Sequence, residues 1–194
     1  AAEARAEYVA QFEFTADTNA SGLPAYIASA TYDHTNLYNS YIGDDGFGNV
    51  LETYPSLGST SAATALANNS YFTITITADT GETFNLDTLS YKVGKGGGTD
   101  PRGYFIRSSV DGYAADLYAE TLPTGTAQEP ALRTLDLSGH DNLSTVTFRF
   151  YVFTPTPSSN SVDWKEVYFW SAPTSIPTLN EWGILLFAGI LLLT

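Results

Sequence analysis

The 194-residue chain predicts an all-β fold, an antiparallel β-sandwich of the jelly-roll kind followed by a C-terminal hydrophobic helix of membrane type. Three observations predict it. Apolar residues alternate with polar ones at period two in run after run, the mark of half-buried strands. Turn residues recur between the runs, as in Asp79-Thr80-Gly81, Asp111-Gly112, Ser138-Gly139 and Thr154-Pro155-Thr156-Pro157. Long uneven loops separate the strands, which favours a double Greek key over an immunoglobulin-like order.

Residues 8–14 place Tyr8, Ala10, Phe12 and Phe14 on one face and open the body as a strand. Residues 33–70 form the longest irregular stretch, rich in Tyr, Asn, Gly and Asp, with a short helix expected at 61–67. Residues 71–77 alternate with Phe72, Ile74 and Ile76 inward. Residues 83–93 change phase near Asp87-Thr88, which predicts a bulge or corner. Further strands are read at 103–110, 132–137 and 146–153, and 162–170 closes the body. The domain reading is a sandwich over 1–172, a Pro- and Thr-containing linker over 173–181, and an apolar tail over 182–194.

That tail runs from Trp182 to Thr194 without a charge. As a helix it would reach about 20 Å at ~1.5 Å per residue. A bilayer core is about 30 Å thick, so the run begins a span without completing one. It is apolar on all sides, whereas a surface helix keeps a polar stripe. Lipid, a membrane protein complex or another copy of the chain is expected to cover it. The residues before it, Ile176-Pro177-Thr178-Leu179-Asn180-Glu181-Trp182-Gly183, resemble the IPTL-CTERM tails, relatives of the PEP-CTERM sorting signals of bacterial exported proteins. The resemblance covers about a tenth of the chain, and the basic end that follows the helix in those tails is missing here. It implies export and attachment at the bacterial cell envelope or surface through Ile176, Pro177, Thr178, Leu179, Glu181, Trp182 and Gly183. It implies no chemistry.

Composition agrees with export. The chain has no Cys and no Met and begins Ala1-Ala2-Glu3-Ala4, as expected of a chain freed of a signal peptide. Without Cys there is neither a disulfide scaffold nor a thiolate metal site. Net charge is −13 with only eight Lys and Arg, so nucleic acid is a poor partner. Half of those cations, Lys92, Lys95, Arg102 and Arg107, surround the run Gly94-Lys95-Gly96-Gly97-Gly98. A phosphate loop needs Gly-Lys-Ser/Thr opening a helix. Here a strand comes next, so the run reads as a flexible hairpin loop with solvated charges.

Catalysis finds little support. The two histidines, His34 and His140, sit in no nucleophile motif and read as loop residues satisfied by backbone. Calcium is the better-motivated cofactor, since oxygen ligands from loops suit an acidic exported sandwich. Glu13 on the first strand and Asp163 on the last are the candidate ligands, because the terminal strands of jelly rolls pair. Here carbohydrate-binding jelly rolls are similar, with an acid on the first strand and another near the last. The loop Asp44-Asp45-Gly46-Phe47-Gly48-Asn49 is a second candidate, although it lacks the EF-hand spacing. Sugar binding would use Tyr26, Tyr32, Tyr38, Tyr41 and Tyr54 as flat platforms, with Asn36, Asn39 and Asp44 for hydroxyls. The expected function is a non-catalytic exported envelope protein, tethered by its tail and acting as an accessory or structural component. A carbohydrate-binding surface module and a self-assembling filament or coat subunit are the alternatives.

Overall fold

A computed structural model describes residues 6–44, 46–98, 100–155 and 160–172, with backbone only for 39–41. The expected tail helix, the linker and the IPTL motif lie outside these residues. Among the described residues, no helix is long and apolar enough to cross a membrane.

Two antiparallel sheets pack face to face. The strands are β1 (Tyr8–Phe12), β2 (Ile27–Thr35), β3 (Leu37–Asp44), β4 (Asn49–Pro55), β5 (Tyr71–Ala78), β6 (Phe84–Lys95), β7 (Arg102–Ser108), β8 (Tyr118–Leu122), β9 (Gln128–Leu143), β10 (Thr145–Phe153) and β11 (Val162–Trp170). One sheet runs β3-β4-β11-β6-β9, with β1 also on β11; the other runs β2-β5-β10-β7-β8. The jelly-roll-like sandwich expected from the period-two pattern is therefore what forms.

The inner faces meet along one aromatic core. Trp164 from β11 packs edge-on against Phe72, Tyr104 and Phe150 at 5.2, 4.8 and 5.5 Å. Phe72 and Phe150 stack at 4.5 Å across the β5–β10 pair. Full burial of such rings is worth about 1.5–3 kcal/mol each, so this layer dominates the stability of the body. The run 71–77 alternates as read, with Phe72, Ile74 and Ile76 fully buried.

The stretch 33–70 is not irregular. It holds the end of β2, all of β3 and β4, and the helix α1 (Ala62–Ala67). The helix was legible: Ser61 caps it in a capping box with Thr64. It lies on the outer face of the second sheet and buries Phe105 and Tyr151 beneath Ala65. Ser138-Gly139 is not a turn either, because β9 runs through it to Leu143. The phase change near Asp87-Thr88 is real: the β6–β9 register shifts between Leu86 and Thr88.

Two further bulges shape the outer face of the first sheet. The β1–β11 register shifts between Tyr8 and Ala10, leaving Val9 and Ala10 both buried and turning Tyr8 outward. This corrects the placement of Tyr8 beside Phe12 on the inner face. The β11–β6 register shifts between Lys165 and Tyr168, where Glu166 takes a left-handed φ of 51°. The bulge lets Val162 and Trp164 before it, and Val167 and Phe169 after it, all face the core.

Candidate functional site

The two bulges gather aromatic rings on the outer face of the first sheet. Val167 and Phe169 point into the core, so Tyr168 and Trp170 stand on the outer face, half-buried. The Tyr8 ring lies over Trp170 at 3.9 Å and meets Tyr168 edge-on at 5.5 Å. Polar groups rim these rings. The Trp170 indole N–H donates to Ser90 Oγ at 2.8 Å, and the Tyr168 hydroxyl donates to Glu13 Oε1 at 2.8 Å. Lys92 and Glu166 pair at 2.7 Å alongside. Burial, then the neighbouring Glu13, pushes the Tyr168 hydroxyl above its ordinary range, so it stays a neutral donor. Farther along the same face, Tyr38 and Tyr54 form a cross-strand pair at 6.1 Å, with Tyr38 47% exposed. Rings held by a sheet, with hydroxyl, carboxylate and ammonium groups at their edges, offer apolar contact and directed hydrogen bonds together. That is the chemistry a sugar ring asks for, with C–H groups on its flat side and hydroxyls around its rim.

A second cluster closes one end of the sandwich. Arg102 on β7 is fully buried, as is Lys95 on β6. The Arg102 guanidinium donates to the carbonyls of Gly97 at 2.7 Å and Ser161 at 2.9 Å, and to Asn160 Oδ1 at 2.9 Å. Lys95 Nζ donates to the carbonyl of Gly125 at 2.6 Å. Burial lowers the pKa of both, while Asp163 and Asp100 oppose the shift at Arg102. The Gly-rich run is therefore not a loop of solvated charges. Its cations point inward and tie down the loops around 96–98, 125 and 160–161.

A third cluster clasps the two sheets. Glu120 on β8 accepts from Arg133 on β9 at 2.7 Å through both oxygens, and also from the hydroxyls of Tyr104 at 2.8 Å and Tyr118 at 3.2 Å. Arg133 holds the Glu120 carboxyl below its ordinary range. Tyr91 and Tyr104 share a hydroxyl contact at 3.1 Å deep in the core, and burial raises both well above the ordinary phenol range.

The sequence-predicted sites fare unevenly. Glu13 and Asp163 have different surroundings. The Glu13 carboxylate accepts from Tyr168, while Asp163 is fully buried between Glu52 and Gly94, near Arg102. Among the described residues, no group of three or more His, Asp or Glu is placed to hold a metal ion. In the loop Asp44–Asn49, Asp44 Oδ1 accepts from the backbone N–H of Gly46 and Gly48, and Asn49 donates to the carbonyl of Thr15. Of the tyrosines, Tyr38 and Tyr54 are on the outer face, whereas Tyr32 turns inward against Phe14 and Phe72. Both histidines lie on strands, not loops. His140 Nε2 lies 3.1 Å from Ser108 Oγ, but Ser108 is 1% exposed, which makes the pair a core contact. Burial keeps His140 below its ordinary pKa. Sequence reasoning missed Tyr8, Tyr168 and Trp170 as a group. Their signal is in Val167 and Phe169: two apolar residues at period two send the residues after each of them to the other face.

No protein-family model matches the chain, and no curated protein does. Solved structures of similar outline exist. A family 29 carbohydrate-binding module shares 17% identity over 86% of this chain and 89% of its own, with a TM-score of 0.44. The K3 cleaved adhesin domain of Lys-gingipain from Porphyromonas gingivalis shares 12% over 87% and 100%, with a TM-score of 0.46. TmCBM27, a module that recognises mannan, shares 9% over 87% and 99%, with a TM-score of 0.42. Likeness at this level transfers neither a ligand nor a residue role to this chain.

Proposed function

We propose that the chain is a non-catalytic surface module that holds polysaccharide on the outer face of its β11 sheet and is kept at the bacterial envelope by its C-terminal tail. The observation that carries the binding reading is the ring cluster Tyr8–Tyr168–Trp170, rimmed by Ser90, Glu13 and Lys92. The rings stand outside the core, which Trp164, Val167 and Phe169 already fill on the other side of the strand. The tail motif at 176–183 supports attachment, through lipid or a membrane protein complex. Self-association through the tail is a further proposal on the same motif.

Affinity electrophoresis through gels containing soluble polysaccharides tests the binding reading. The native chain should be retarded in at least one gel, and a Tyr8→Ala/Trp170→Ala variant with an unchanged circular dichroism spectrum should run freely. Retardation equal for both proteins would remove the ring cluster from the function. Fractionation of expressing cells tests the tether: the full chain should sediment with envelopes, and a chain ending at residue 175 should not.

A further inference from the structure

Among the described residues, six of the positive side chains are engaged within the chain. It carries eight Lys and Arg against 21 Asp and Glu. Arg102 is spent on loop carbonyls and Lys95 on the Gly125 carbonyl. Arg107 pairs with Asp116 at 2.6 Å and Arg133 with Glu120 at 2.7 Å. Arg149 lies flat between the Tyr113 and Tyr71 rings, 3.7 and 4.8 Å from their centres, on the outer face of the opposite sheet. On the β11 face itself Lys92 is neutralised by Glu166. Lys165, beside the Gly48 turn, is the remaining ammonium there.

Several carboxylates of the same sheet have partners of their own. Glu13 accepts from Tyr168, Glu166 from Lys92, and Asp163 is wholly buried. A polyanionic glycan would meet one ammonium against a chain of net charge −13. A polycationic glycan would meet Glu13, which keeps its charge because its partner there is a neutral hydroxyl. What the face still offers is aromatic surface, the proton of the Ser90 hydroxyl and the lone pairs of the Tyr168 hydroxyl, since the Trp170 and Tyr168 protons are already donated.

We infer that the β11 face selects uncharged glycan chains over uronate- and sulfate-bearing ones. This deepens the polysaccharide reading and rests on it. Selection against anionic chains works by offering them little counter-charge on a chain of net charge −13, so binding of neutral chains is insensitive to salt.

The test is a printed glycan array carrying neutral, uronate and sulfated glycans, probed with the full chain in mild detergent. Titration calorimetry on the best neutral oligosaccharide is then run at about 0.01 M and about 1 M salt, between which the screening length falls from about 30 Å to about 3 Å. Signal on neutral glycans and none on uronate or sulfated ones is expected, with the same affinity for the neutral oligosaccharide at both salts. Trp170→Ala should weaken it about tenfold, or about 1.4 kcal/mol. Trp170→Phe, which keeps a ring and is the safer variant for folding, should retain most of it. Binding to uronate or sulfated glycans that fades with salt overturns the charge inference and leaves the polysaccharide reading standing. No binding to any glycan class overturns the polysaccharide reading itself. Neutral binding unchanged in both Trp170 variants places the ligand elsewhere and overturns the inference.

Discussion

Arg102 shows how one side chain can hold a fold's end together. Its guanidinium is fully buried and reaches acceptors 58 and 59 positions away along the chain, at Asn160 and Ser161. Arg102→Ala would leave those acceptors and the nearby Asp163 without their cation. Breaking a buried charged contact on one side costs about 3–5 kcal/mol, so urea unfolding should show a loss of that order. A change under about 1 kcal/mol would mean that water replaces the guanidinium readily. Glu120 gives a pH-dependent counterpart. Its folded pKa is depressed, first by Arg133, so its ionised form stabilises the protein fully above the unfolded carboxylate value near about 4.3. That contribution is lost as pH falls through the folded value. Glu120→Gln should therefore be less stable than the native chain at neutral pH, and the gap should close in acid. Thermal melts across that range check it; a gap independent of pH would assign the loss to geometry, not charge. Neither residue could be read from sequence. Lys95 and Arg102 sit among glycines and look solvated, and nothing local announces that Asn160 will lie against them.

At the scale of elements, legibility follows burial. β5 was read residue by residue because its buried side packs across the core on Phe14 and Trp164 while its other side carries Thr73, Thr75 and Thr77 outward. β3 and β4 were not: β4 buries Leu51, Thr53 and Pro55 in alternation, but a Thr and a Pro among the inward residues print no apolar pattern. The aromatic face was missed for a related reason. A bulge changes phase at a single residue, here Glu166, and only the apolar residues on either side of it disclose the change. Helix α1 was legible through its cap, and the cap is testable. Ser61→Ala removes the hydroxyl that accepts from the Thr64 N–H at 3.2 Å and should cost about 1 kcal/mol in chemical denaturation.

At the scale of the whole molecule, the core extends from Val9 to Phe169 and is closed on itself. A chain ending at residue 175 should therefore fold, with a melting temperature within a few degrees of the full chain; unfolding on truncation would make the tail part of the core. Chelation speaks to calcium. With the Glu13 carboxylate at Tyr168 and Asp163 buried, EDTA should leave the melting temperature unchanged, because only a ligand bound to the folded state can raise it. A drop of several degrees, restored by calcium, would revive a cation site. The exposed edge of the first sheet is protected against unwanted pairing. β9 carries Pro130 and several charged residues, and its register with β6 shifts repeatedly.

The two ends of the body meet at one point. The Ser171 N–H donates to the Glu7 carbonyl at 2.9 Å, and the Glu7 N–H reaches Ser171 Oγ at 3.3 Å. Trp170 and Tyr8, the residues next to this clamp, are the same two whose rings overlap on the outer face. A tug between a glycan on those rings and the chain beyond residue 172 would travel through a few residues of β11 only. The rest of the sandwich would lie off the line of force. Such a module could slip its ligand or fray at its last strand under load while its core stayed folded, and so re-engage without refolding.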